Sequence, residues 1–145
     1  MIQKYFQLFC LVMIISGCAT NVSGPSFSEA PPPKGNMGTL YVICSAAPFM
    51  TPVPIVKING VPFVKLGFKG YSYIYLKPDI YRLSFVSAGT TIFMTEIEIR
   101  PNQEVYEYFN PMNFSMSDLK PESSQDFLKD YKYVVPQYSQ TISAG

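Results

Sequence analysis

The sequence predicts an all-β fold: an immunoglobulin-like or transthyretin-like β-sandwich of about seven strands, with a short C-terminal helix. Three observations predict it. Between Gly38 and Phe109, aromatic and β-branched residues fill short runs punctuated by Gly, Pro, Asn and Asp. Within those runs apolar residues recur with period two, which gives each strand one apolar face. Turn-forming dipeptides separate the runs at hairpin spacing. Antiparallel strands of this kind bury their apolar faces by stacking as two sheets.

The elements follow in order. A first strand covers about 39–44, within Leu40-Tyr41-Val42-Ile43-Cys44. A loop containing Pro48, Pro52 and Pro54 comes next. Strands at about 55–58 and 61–66 flank Asn59-Gly60. That dipeptide supports positive φ at both turn positions, so it predicts a tight hairpin. A strand at about 71–76 ends in the turn Lys77-Pro78-Asp79. Strands at about 80–87 and 90–100 meet through Ala88-Gly89. Pro101-Asn102 turns into a last strand at about 103–109. Tyr81, Leu83 and Phe85 share one face, as do Phe93, Ile97 and Ile99. Glu96, Glu98 and Arg100 lie on the opposite face.

Residues 110–121 read as a loop. Glu122 to Tyr133 predicts the helix, because Phe127, Leu128 and Tyr131 fall at helical spacing with Ser123 or Ser124 as a cap. The sandwich domain with this helix spans 38–135, and 136–145 reads as a frayed tail.

The N-terminus has a different character. Lys4 precedes an apolar run from Tyr5 to Ile15, broken only by Gln7. A bilayer span needs about 20 apolar residues, so this run of eleven is too short. A basic start, a short apolar run and small residues before a processing point mark a secretory signal. Residues 1–17 are that signal. Its end, Ile15-Ser16-Gly17-Cys18, resembles the lipobox of bacterial lipoproteins. The resemblance implies cleavage between Gly17 and Cys18, with lipid on the Cys18 thiol and acylation of its new amino group. Ser16 and Gly17 leave room for a peptidase, and a thiol is the soft nucleophile a thioether requires. Two or more acyl chains anchor a protein stably. Ala19 stands where an Asp often retains such proteins in the inner membrane, so the resemblance favours the outer membrane, facing the periplasm. Residues 18–37, with Pro31-Pro32-Pro33, read as a lipidated Cys followed by a flexible tether of Pro, Ser and Gly. The nineteen residues after Cys18 would reach about 60 Å fully extended and about 25 Å as a coil.

Composition narrows the partners. Removal of residues 1–17 takes one of eleven basic side chains and leaves ten against ten acidic. A neutral chain without basic runs argues against nucleic acid and against electrostatic docking on anionic lipid. Of three cysteines, Cys10 leaves with the signal and Cys18 is lipidated. Cys44 remains, at the end of an apolar run, and is expected in the core.

The middle of the chain is similar to a bacterial lipoprotein family with a domain of unknown function, related to PEGA-like β-sandwich domains. The residues that carry this are Gly38-Thr39-Leu40-Tyr41-Val42, Val56-Lys57-Ile58-Asn59-Gly60, Gly70-Tyr71-Ser72-Tyr73, Leu76-Lys77-Pro78-Asp79-Ile80-Tyr81 and Val105-Tyr106-Glu107-Tyr108. The family places a Gly after the Pro of the fourth motif, where this chain has Asp79. The resemblance implies the sandwich and supplies no activity.

The chemistry-bearing residues are sparse. The chain has no His, which removes the commonest general base and a common metal ligand. Glu96 and Glu98 point the same way along a strand, roughly 7 Å apart, a spacing seen in glycoside hydrolysis but also on solvated sheet faces. Glu122, Asp126 and Asp130 share a stripe of the predicted helix, with Lys129 and Lys132 nearby. No Gly-rich phosphate loop is present, and no cofactor is expected. Two surfaces suit a partner. Tyr71, Tyr73 and Tyr75 form a one-sided aromatic stripe suited to a protein or a sugar, or alternatively to the sandwich core. Phe49 and Met50 stand at the tip of the Pro-rich loop. The sequence reading is thus a lipid-anchored envelope protein with a non-catalytic role, holding an envelope protein partner. A glycan- or peptidoglycan-binding protein using the tyrosines is the alternative, and a hydrolase the least favoured.

Overall fold

The computed structural model describes residues 22, 24–45, 52–110, 115–118, 126–138 and 142. The signal segment, Gly17, Cys18, Phe49 and Met50 lie outside the described residues.

Among the described residues, nine strands form two sheets, a β-sandwich. They are β1 (Gly38–Cys44), β2 (Ile55–Ile58), β3 (Val61–Lys65), β4 (Gly70–Leu76), β5 (Asp79–Ser87), β6 (Thr90–Ile99), β7 (Glu104–Asn110), β8 (Ser115–Asp118) and β9 (Lys132–Tyr133). One sheet has the order β8-β7-β1-β4-β9 and the other β3-β2-β5-β6. Pairing is antiparallel except for β1 with β7 and β4 with β9.

The predicted turns form for the expected reason. Asn59 and Gly60 have φ of 50° and 80°, and Ala88 and Gly89 have 50° and 78°. Positive φ at both central positions matches the right-handed twist of the flanking strands. The Asn59 side chain also accepts the Arg82 N–H at 2.8 Å, which ties the turn to β5. Pro62 lies within β3, an edge strand, where a missing N–H disrupts no neighbour on the outer side.

Between the sheets lies one apolar core. Leu40, Val42 and Cys44 of β1 face Val56, Ile58, Leu83, Phe85, Ile97 and Ile99 of the opposite sheet. Phe85 and Phe109 stack across the interface with ring centroids 4.3 Å apart. Full burial of each large aliphatic side chain here stabilises the fold by about 1.5–3 kcal/mol.

All seven residues of β1 are buried, so both of its faces are covered. A second cluster explains this. Tyr41, Ile43, Tyr71, Tyr106, Leu128 and Tyr131 pack together on the outer face of the five-stranded sheet.

Three expectations are corrected. Residues 115–118, read as loop, form β8 against β7. The short C-terminal helix is present, but among the described residues it covers 126–128 (122–125 lie outside them), and Lys132–Tyr133 is instead a strand paired with Gly70 and Tyr71. The apolar spacing that suggested helix is real, but Leu128 and Tyr131 reach the sheet from a turn. The tail also starts later than position 136: the Gln137 side chain accepts the Lys65 N–H at 2.8 Å, and Ile142 packs on the core.

Candidate functional site: a strapped tyrosine face

Alternation along β1, β4 and β7 places Tyr41, Tyr71, Tyr73, Tyr75, Tyr106 and Tyr108 on the outer face of one sheet. Tyr133 of β9 joins them beside Tyr71 and Tyr73, at centroid distances of 5.6 Å and 5.4 Å. Tyr41 and Tyr106 are register partners on β1 and β7, and their rings stack 4.4 Å apart.

Residues 25–31 lie across this face as a strap. The Tyr133 N–H donates to the Pro25 carbonyl at 2.9 Å. Lys132 Nζ donates to Ser26 Oγ at 2.8 Å. The Phe27 ring packs against Tyr71 at 4.9 Å and Tyr41 at 6.1 Å. The Ser28 N–H donates to the Tyr71 hydroxyl at 3.2 Å, and the Ala30 N–H to the Tyr41 hydroxyl at 2.8 Å. The Tyr75 hydroxyl then donates to the Pro31 carbonyl at 2.6 Å. The strap therefore crosses from β9 over β4 to β1. This corrects the expected tether, because residues 25–31 are held on the domain. Tyrosine hydroxyls take up the backbone groups that a Pro-rich segment cannot pair within itself.

Glu104 completes the face. Tyr106 donates to its Oε2 at 3.0 Å and Tyr41 to its Oε1 at 3.4 Å. Burial pushes the Tyr41 phenol up to about 12, with the Glu104 charge adding to the shift. Burial also raises Tyr106 and Tyr131, and Tyr75 and Tyr133 to a smaller extent. These phenols stay neutral near pH 7, so the face acts through hydrogen bonds and aromatic contact. It suits an extended, proline-flanked backbone, and its own strap supplies one.

The stripe foreseen as a partner surface is thus largely a binding surface for the chain itself. Tyr71 is buried, which removes it as an exposed contact, while Tyr73 and Tyr75 are half-buried. Tyr41, Tyr106, Glu104, Tyr133 and Phe27 were missed. A signal existed: Tyr41 and Ile43 alternate with Leu40 and Val42, and a strand apolar on both faces is covered on both faces.

The carboxylates do not converge. Glu96 pairs with Arg82 at 3.9 Å and Glu98 with Arg100 at 2.8 Å. The hydrogen bond and charge of Arg100 hold the Glu98 carboxyl below its usual range, the opposite of what a catalytic proton donor needs. Asp126 is exposed, Asp130 pairs with Lys69 at 3.7 Å, and Glu122 lies outside the described residues. Among the described residues no group of three or more Cys, Asp or Glu is placed to hold a metal ion. Cys44 is a buried thiol outside any disulfide.

One outward surface remains polar with apolar points. Ile80 and Met94 are 58% and 57% exposed on the outer face of β5 and β6, on either side of the Arg82–Glu96 pair. Asn59, Ile80, Arg82 and Glu96 line a pocket of about 310 Å³ there. Comparison with protein-family models matches none, and comparison with curated proteins finds no match.

Proposed function

We propose that this chain is a cell-envelope lipoprotein, anchored through lipid on Cys18 to the outer membrane and facing the periplasm. Its β-sandwich serves a non-catalytic binding or structural role, presented to an envelope protein partner. The observation that carries this is Ile15-Ser16-Gly17-Cys18 closing a short apolar run behind Lys4. The scattered, ion-paired carboxylates and the lack of any His support a role without catalysis. The strap favours a protein partner over a glycan, because it occupies the tyrosines that a sugar would stack on. The partner's surface is then the outer face of β5 and β6, where Ile80 and Met94 stand out. Ile80 and Met94 would bury their exposed apolar area against such a partner, with Arg82 and Glu96 between them available for polar contacts.

The test is cross-linking in cells of the native protein, tagged at the C-terminus, followed by mass spectrometry. A defined envelope protein is expected, lost in the Ile80→Glu, Met94→Glu double variant. Recovery of glycan fragments without a protein would overturn the partner reading in favour of the glycan alternative.

A further inference from the structure

The strap fixes the end of the sandwich from which the chain runs back toward Cys18. β1 runs from Gly38 to Cys44, and β4 returns from Gly70 to Leu76. The strap begins beside β9, which pairs with Gly70 and Tyr71, and so beside the end where β1 finishes. Val22 and Gly24 enter there and line an open groove of about 740 Å³. Its other walls include Val53, Gly67, Val135 and Pro136. Val135 is 67% exposed, and Lys65 also lines the groove. The opposite end carries Asn59-Gly60, Lys77-Pro78 and Arg100-Pro101-Asn102, a polar set of turns. The seven residues of β1 separate the two ends by about 20 Å.

Cys18 precedes Val22 by four residues, a covalent reach of at most about 14 Å. The headgroup layer on one side of a bilayer is itself about 5–8 Å thick. We infer that the groove end, with Val22, Val53, Val135 and Pro136, rests on the surface of the bilayer that carries Cys18, and that the polar turns point away from it. This rests on the anchoring reading. The docked strap leaves too little chain for the domain to stand clear or to turn over. An apolar groove with a two-thirds-exposed valine is favoured at a lipid surface and costs free energy in water. The outer face of β5 and β6 then runs up the side of the molecule, open to a partner.

The experiment uses the full-length lipidated protein, purified from membranes. It is reconstituted in vesicles of phosphatidylethanolamine and phosphatidylglycerol at about three to one. Val135→Cys and Lys77→Cys each receive a fluorophore; Cys44 is buried and Cys18 is blocked by its thioether. A headgroup nitroxide lipid is the quencher. Quenching at position 135 is expected to exceed that at 77 by about three-fold or more. Insertion of twelve Gly and Ser residues between Ala19 and Thr20 lengthens the covalent link and should reduce the difference to the part that the apolar groove supplies by itself. Acylated protein that floats with vesicles but is quenched equally at both positions overturns this inference alone. So does stronger quenching at position 77 than at position 135. Protein that lacks acyl chains on Cys18 and fails to float overturns the anchoring reading and this inference with it.

Discussion

Tyr41 and Tyr106, neighbours in the parallel pairing of β1 and β7, stack with ring planes 3° from parallel and both donate their hydroxyls to Glu104. One carboxylate thus orients two phenols, and Tyr41 in turn accepts the strap at the Ala30 N–H. Removal of the Tyr106 hydroxyl leaves a carboxylate oxygen one donor short. Tyr106→Phe should lower the unfolding free energy by about 1–2 kcal/mol in urea titration. Glu104→Ala should cost at least as much, because it leaves two buried hydroxyls to find other acceptors.

The same buried phenols set the alkaline limit of the fold. In the unfolded chain tyrosine releases its proton near 10.0, whereas burial raises Tyr41 to about 12 and raises Tyr106 and Tyr131 as well. Above pH 10 the unfolded state therefore binds fewer protons than the folded one, and stability falls as pH rises. Stability should be level up to about pH 9. It should then drop with a slope approaching about 1.4 kcal/mol per pH unit for each buried phenol. Thermal melts from pH 8 to 12, read beside tyrosinate absorbance, check this. Level stability through pH 11 would show that the phenols titrate as if exposed.

Besides its hydrogen bonds, the strap is held by the Phe27 ring and by one close backbone approach. Phe27 touches Tyr41 and Tyr71, and a Cβ on Gly24 would run into the Tyr133 carbonyl. Phe27→Ala should cost about 2 kcal/mol, below the full core value because the ring is half-buried. Gly24→Ala should free the start of the strap. Limited proteolysis should then cut both variants within 22–33 faster than the parent, while the sandwich stays intact.

Ala88 adopts φ of 50° ahead of Gly89, a conformation that costs a residue with a Cβ about 1 kcal/mol. Asn tolerates it, and Asn59-Gly60 already uses that pair in the equivalent turn. Ala88→Asn should raise stability by about 0.5–1 kcal/mol without altering the sheet. A loss of stability would mean that the turn is not of the type described.

Cys44 sits in the inter-sheet core. A thiol reagent should leave it unmodified in the native protein and modify it fully in urea. Cys44→Ala should cost about 1 kcal/mol or slightly more, as a small cavity in a packed core does.

The strands from Gly38 to Phe109 were legible because turn chemistry and alternation agree there. Asn59-Gly60, Pro78-Asp79 and Ala88-Gly89 each separate runs whose apolar faces match. β8 was not legible: Ser115-Met116-Ser117-Asp118 has no β-branched residue, and it pairs as an edge through its backbone. β9 was hidden by Phe127, Leu128 and Tyr131, whose helical spacing comes from a single turn leading into the strand. The strap was hidden by its composition. Ser, Glu, Ala and Pro read as a tether, and most of its contacts use backbone groups that carry no sequence signal. Its receptor was half legible, in Tyr71, Tyr73 and Tyr75; the other half, Tyr41 and Tyr106, comes from strands that only the sheet pairing brings beside them.

The most direct measurement is the mass of the N-terminal peptide of the protein isolated from membranes. Anchoring requires that the mature chain begin at Cys18 and that this peptide carry a thioether-linked diacylglyceryl group. A chain that begins elsewhere, or a Cys18 peptide with a free thiol, would contradict the anchor on which the proposed location and role depend.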